Sequence, residues 1–172
     1  MGAALVIALI LGQPAVPDPL APAWSGRIQC YSPNVIRKTC RSIATYRKVE
    51  DGSIINRAEL LIASHPNMVW NIESPVRIEG GAVCGTIRQE DIDSSTFTTE
   101  MIAEDRDGQL SKPLIDKADA AMKPMIGHDI CTRYEPQGSG LLARASVDGL
   151  ARPDLNQPVI WITPEEEYRV EP

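Results

Sequence analysis

Aromatic residues and histidines are scarce in this chain, and their scarcity weighs against several classes of function. Trp, Tyr and Phe together make up 5% of the 172 residues, too few for an aromatic-walled sugar site or a surface that stacks nucleic-acid bases. Only two histidines are available as general bases. The sequence has no G-x-S-x-G, no P-loop or dinucleotide glycine pattern and no C-x-x-C. We therefore expect no cofactor, and no nucleic acid as a partner.

The N terminus indicates export. Ala3 to Leu11 is a nine-residue apolar run, and a proline-rich stretch after it ends in Ala21-Pro22-Ala23, an A-x-A site for a signal peptidase. Nine helical residues span about 14 Å, against roughly 30 Å of hydrocarbon in a bilayer, so we expect no transmembrane span. The sequence predicts a signal peptide over residues 1–23, cut after Ala23, with Ala15 as an alternative. One β-rich domain, 24–172, would then be periplasmic or extracellular.

All four cysteines lie beyond this segment, where the compartment would be oxidising. An even number of cysteines in an exported chain favours two disulfides, for which three pairings exist. Cys30 and Cys40 flank a Ser-Pro-Asn turn, which favours their pairing and leaves Cys84 with Cys131. His128 and Cys131 are spaced like two metal ligands, but Cys131 is required for the disulfide. We expect no metal site.

Positive charge is concentrated near the start of the domain. The stretch from Trp24 to Lys48 has six basic residues and no acidic one, whereas the chain from Val49 onward has 11 basic and 22 acidic residues. Such asymmetry indicates either an anionic partner or a basic strand neutralised by acidic neighbours. If a partner binds, we expect an anionic envelope component or another exported protein. The residues expected to contact it are Arg37, Lys38, Arg41 and Arg47.

Alternating apolar residues from 41 to 62 predict a hairpin. Asp51-Gly52 splits this stretch and is typical of a two-residue turn, because both positions tolerate positive φ. A turn there would place Thr45 opposite Ala58. One face of the hairpin would then carry most of the apolar side chains: Ile43, Thr45, Val49, Ile54, Ala58, Leu60 and Ile62.

Two further patterns define the fold class. Gly80-Gly81 predicts a second hairpin with Ile78 opposite Val83. A helix is expected from Ser111, a plausible N-cap, to Pro124, which should kink it or end it. Together they predict an α+β fold: a mainly antiparallel, twisted sheet of about six to eight strands, one helix packed on it, and reinforcing disulfides. The expected core side chains are Trp70, Trp161, Ile43, Leu60, Ile78, Val83, Leu114 and Met122.

The lack of a catalytic constellation favours a non-enzymatic exported domain that binds or scaffolds. Two alternatives stay open. The first is a small secreted hydrolase that uses His128 with Asp129, or the carboxylate pair Asp91 and Asp93. The second is an inhibitor of an exported enzyme, which would present the loop at 64–67 or at 137–140.

Overall fold

The computed structural model describes residues 17–65, 67–99 and 111–172, within which the chain forms twelve β-strands and two α-helices. The apolar run Ala3–Leu11 lies outside these residues. The elements are β1 Ile28–Tyr31, β2 Thr39–Cys40, β3 Ser42–Lys48, β4 Ile54–Ser64, β5 Asn67–Glu79, β6 Ala82–Thr86, α1 Gln89–Asp93, β7 Thr96–Thr99, α2 Ser111–Met122, β8 Asp129–Gln137, β9 Gly140–Val147, β10 Leu150–Ala151, β11 Gln157–Ile162 and β12 Arg169–Val170.

Eight of these strands form a closed antiparallel barrel. Their order around it is β1, β3, β4, β5, β6, β8, β9 and β11, and β11 pairs with β1 to close the ring. The closing register sets Ile28 opposite Ile162 and Tyr31 opposite Val159. The expected antiparallel sheet with one main helix is thus confirmed. The sheet was expected to be open, with the helix covering one face. It is instead closed into a barrel, and closure removes the two sheet edges.

The first hairpin forms, but its predicted register is wrong by one residue. Ala44, and not Thr45, lies opposite Ala58. The connection is a five-residue loop from Val49 to Ser53, in which the Val49 and Gly52 amides hydrogen-bond to carbonyls inside the loop. A shift of one residue exchanges the two faces of a strand. The second hairpin has the predicted register, with Ile78 opposite Val83.

Both expected disulfides are present. Cys30–Cys40 joins β1 to the short strand β2. Cys84–Cys131 links directly opposite positions on the neighbouring strands β6 and β8. The first disulfide packs on the outside of the barrel with Ile43 and Ile162, beneath Tyr168 of the C-terminal segment.

The helix predicted from Ser111 is α2, and it gives way at Lys123–Met125 to a 3-10 turn that contains Pro124. It contacts α1 and β7 at the end of the barrel where β1 leads into the 32–41 connection. We call this the upper end. The lower end carries the hairpin turns at 49–53, 80–81 and 138–139.

The expected core is confirmed in part. Trp70 and Val83 are each 7% exposed, whereas Ile78 is 37% exposed because it lies beside the turn at the lower rim. The other expected side chains are half-buried: Ile43, Leu60, Leu114, Met122 and Trp161.

Residues 17–26 close the lower end, and we call them the N-terminal plug. Leu20 is fully buried, and with Ala23 it packs against Ile54 and Val83 of the barrel. The Asp18 carboxylate holds the plug in shape, because it accepts hydrogen bonds from the Leu20 amide at 2.8 Å and from the Trp24 indole at 2.7 Å. Cleavage after Ala23 would remove Leu20, whereas cleavage after Ala15 would retain it. We therefore expect the folded domain to begin before Asp18.

Replacing Leu20 by Ala tests whether the plug is part of the core. We expect Leu20→Ala to lower the free energy of unfolding by about 2–5 kcal/mol, the usual cost of truncating a buried leucine. The matched control is Leu150→Ala, at a side chain that is 74% exposed, with an expected loss below about 0.5 kcal/mol. Urea unfolding of the same chain measures both. Equal losses would show that the plug adds nothing to the core.

Candidate ligand-binding cavity

Small side chains leave the interior of the barrel unfilled. An eight-stranded barrel is just wide enough for its side chains to fill it or for one small ligand to occupy it. Here the cavity, which is partly open to solvent, measures about 450 Å³, within the roughly 300–1,000 Å³ typical of small-molecule sites. The inward positions that keep it open are Ala44, Ala58, Ser74, Gly85, Ala143 and Ala145.

Three tyrosines and one glutamine form a polar cluster in the barrel. Tyr31 of β1, Tyr46 of β3 and Tyr134 of β8 line the cavity, and their hydroxyls converge on the amide oxygen of Gln29. The hydroxyls of Tyr31 and Tyr46 lie 2.8 Å from Gln29 Oε1, and that of Tyr134 lies 3.1 Å away. The Tyr31 and Tyr134 hydroxyls are also 2.6 Å apart. Tyr46 and Tyr134 both pack against the cluster that Leu20 and Ala23 of the plug form with the barrel. The tyrosine cluster therefore lies toward the lower end of the barrel.

Gln29 has one buried polar atom without a partner. Its side chain is fully buried, and among the described residues nothing hydrogen-bonds to Nε2. A buried donor left without an acceptor costs about 1–3 kcal/mol, so most such groups in folded proteins are paired. Gln29 is not among the side chains that line the cavity, so the cluster faces the cavity through its tyrosines.

The tyrosine cluster is polar but uncharged. Burial raises the pKa of Tyr31 well above its ordinary value, and the neighbouring Tyr46 and Tyr134 raise it further. Burial also raises the pKa of Tyr46, with Tyr134 as the next cause. A phenol of ordinary pKa is already protonated at neutral pH, and these shifts keep Tyr31 and Tyr46 protonated to higher pH still, so both offer hydroxyl groups and not anions.

The upper end of the cavity is mostly apolar, with one neutralised carboxylate. Ile87, Met122 and Leu155 line it there, together with Asp91 of α1, which is 4% exposed. Arg88 pairs with both oxygens of Asp91; its Nε donates to Oδ2 at 3.0 Å. A buried carboxylate is tolerated when it is paired in this way.

The carboxylates and histidine proposed for a hydrolase have other partners. His128 Nδ1 lies 2.6 Å from Asp148 Oδ2, and the carboxylate of Asp129 pairs with Arg77 at 2.7 and 2.8 Å, so His128 and Asp129 do not form a base–orienter couple. Arg77 lowers the pKa of Asp129. Since the folded pKa is the lower one, this pair stabilises the fold at neutral pH and is lost only in acid.

The other two suggested sites also lack the expected geometry. Asp91 and Asp93 lie two residues apart on the helix α1, where such positions do not face each other. Asp93 is exposed and accepts a hydrogen bond from Gln89. Sulfur atoms of Cys84 and Cys131 do lie within 4.8 Å of an Asp129 carboxylate oxygen, but the disulfide removes the thiolates that a metal would need.

The four basic residues proposed as a contact surface separate into two groups. Arg47 forms an exposed ion pair with Glu73 at 3.0 Å on the outer surface. Arg37, Lys38 and Arg41 lie in the 32–41 connection at the upper end, where all three are exposed. Within the described part of the chain, these three side chains have no ion-pair partner.

No helix among the described residues is long and apolar enough to cross a membrane. Comparison of the chain with protein-family models, with curated proteins and with solved structures gave no match.

The residues of the tyrosine cluster were missed from the sequence. Tyr31, Tyr46 and Tyr134 are three of the four tyrosines, which was a usable signal. Tyr31 and Tyr134 are 103 residues apart, however, and only barrel closure brings them together. In the predicted hairpin register Tyr46 fell on the face away from the apolar side chains, which hid its place in the interior.

Proposed function

We propose that this chain is an exported, non-enzymatic binding protein whose barrel cavity takes up one small, largely apolar and uncharged molecule. The cavity carries the proposal: most of its lining is apolar, and the hydroxyl-bearing side chains of Tyr31, Tyr46 and Tyr134 form one polar part of its wall. The two disulfides support export, because such bonds persist in oxidising compartments.

The polar cluster favours a ligand that bears a hydroxyl group. The three phenolic protons are used within the cluster, since one joins Tyr31 to Tyr134 and the others reach the amide oxygen of Gln29. Tyrosine lone pairs remain as acceptors, and a ligand hydroxyl can donate to them. An anionic ligand gains nothing at this end of the cavity, because the cluster carries no positive charge.

Filling the cavity tests the binding site itself. We expect the neutral fluorophore N-phenyl-1-naphthylamine to bind the full chain and its emission to shift to the blue in the apolar cavity. Ala58→Trp places an indole in the middle of that space, so the affinity should fall about tenfold or more, a change of at least about 1.4 kcal/mol.

The control for this measurement is Ala151→Trp, which adds the same indole at an exposed position on β10, outside the barrel ring. Its affinity for the fluorophore should equal that of the unmodified chain. Urea unfolding of both variants verifies that they are folded. If the folded Ala58→Trp variant bound the fluorophore normally, the ligand would not occupy the cavity.

Removing one hydroxyl tests the proposed polarity of the ligand. In displacement of the fluorophore, 1-decanol should compete better than decane, because only the alcohol hydrogen-bonds to the cluster. Tyr46→Phe should lower the affinity for 1-decanol about threefold to tenfold, the contribution of one hydrogen bond, and leave the affinity for decane unchanged. Tyr168→Phe is the matched control, since Tyr168 packs outside the barrel. An equal effect of Tyr46→Phe on both competitors would contradict a polar contact there.

A further inference from the structure

A rigid loop with an apolar tip projects from the upper end of the barrel. Its four residues are Val35, Ile36, Arg37 and Lys38, and we call it the tip loop. Its base is a two-way backbone bridge, in which the Asn34 amide donates to the Thr39 carbonyl at 2.8 Å and the Thr39 amide donates back at 3.1 Å. The Arg37 amide is held by Asn34 Oδ1 at 3.1 Å. The conformation of the loop is therefore set by its own hydrogen bonds.

The base of the tip loop is anchored in the protein. Thr39 and Cys40 are buried, and Cys40 is tied to β1 by its disulfide. On the other side β2 pairs with β12, and the Arg169 amide donates to the Lys38 carbonyl at 3.1 Å. Because the tip loop is held on both sides, it would lose little conformational entropy on binding a partner.

The tip is unusually apolar for so exposed a position. Ile36 is 93% exposed and the adjacent Val35 is 62% exposed. Single exposed apolar residues are ordinary, but two neighbours at the end of a constrained loop form a small projecting wedge. No part of the described chain covers them.

Three cations lie close to this wedge along the chain, and no acidic side chain in the described residues forms an ion pair with them. Arg37 and Lys38 follow the wedge directly, Arg41 lies three residues further on, and all three are exposed. The sequence from 24 to 48 contains no acidic residue. The acid nearest along β12, Glu171, lies 3.5 Å from Arg169 and is thus already engaged.

We propose that the tip loop docks the barrel on an anionic lipid surface. The apolar wedge enters the boundary between headgroups and acyl chains, and the three cations contact lipid phosphates. A protein partner fits less well, because a stable protein interface buries about 800 Å² on each side, far more than two side chains supply. The loop joins the upper ends of β1 and β3, so docking would turn this end of the barrel toward the membrane. This inference does not depend on what the cavity binds.

Co-sedimentation of the full chain with vesicles tests the proposal. We expect binding to phosphatidylcholine vesicles that contain phosphatidylglycerol, weak binding to pure phosphatidylcholine, and loss of binding at high salt. The double variant Arg37→Gln/Lys38→Gln should bind about 25-fold more weakly, or about fivefold for each charge removed. Ile36→Ser should lower the affinity for these vesicles about tenfold or more. Ile36→Trp should keep the affinity, because Trp favours the membrane interface.

Arg133→Gln is the control, because it removes one exposed positive charge from β8 near the lower end, and its binding should be unchanged. All variants share one N terminus, so differences between them report on the tip loop. Equal binding to both kinds of vesicle, or equal binding by the loop variants, would overturn the proposal. So would a dimer in sedimentation velocity that Ile36→Ser dissociates, which would assign the tip loop to self-association.

Discussion

The pairing of β11 with β1 is the constraint on which the rest of this structure depends. The other seven barrel contacts join barrel strands that are successive in chain order, and four of them (β3–β4, β4–β5, β5–β6 and β8–β9) are hairpins. The closing contact joins residues 28–31 to residues 159–162 and turns this meander into a ring. Closure fixes the interior width, brings Tyr31 beside Tyr134, and removes the exposed edges at which an open sheet would aggregate.

Once the ring is closed, the sizes of the inward side chains decide what the barrel does. Large residues at these positions would make a solid core, whereas alanine, serine and glycine leave a cavity of about 450 Å³. The N-terminal plug seals the lower end with Leu20, so the cavity extends toward the upper end. A molecule that bound there would recover part of the stability lost by leaving this space unfilled, because binding to the folded state alone stabilises that state.

Short sequence patterns correctly predicted turns, the end of the helix and the disulfides. They did not predict contacts between residues that are far apart in the sequence. Gly80-Gly81 fixed one hairpin, Pro124 ended the helix, and the turn between Cys30 and Cys40 identified their disulfide. Asp51-Gly52 located the other hairpin, yet its register was wrong, because the turn is embedded in a five-residue loop. Because of that one-residue shift, Tyr46 was predicted to lie on the face opposite the apolar side chains and not in the barrel interior. Barrel closure has no local signal at all, so neither the cavity nor the tyrosine cluster was predictable from the sequence.

The most direct test of the cavity is native mass spectrometry of the protein purified from its own host under mild conditions. We expect a non-covalent adduct of one small molecule per chain, which is lost on denaturation and is extracted into organic solvent as an uncharged, hydroxyl-bearing compound. The two disulfides should be intact in the same sample. A chain that carries no adduct, and takes up none from an organic extract of the host, would show that the barrel is not a binding site for such a molecule.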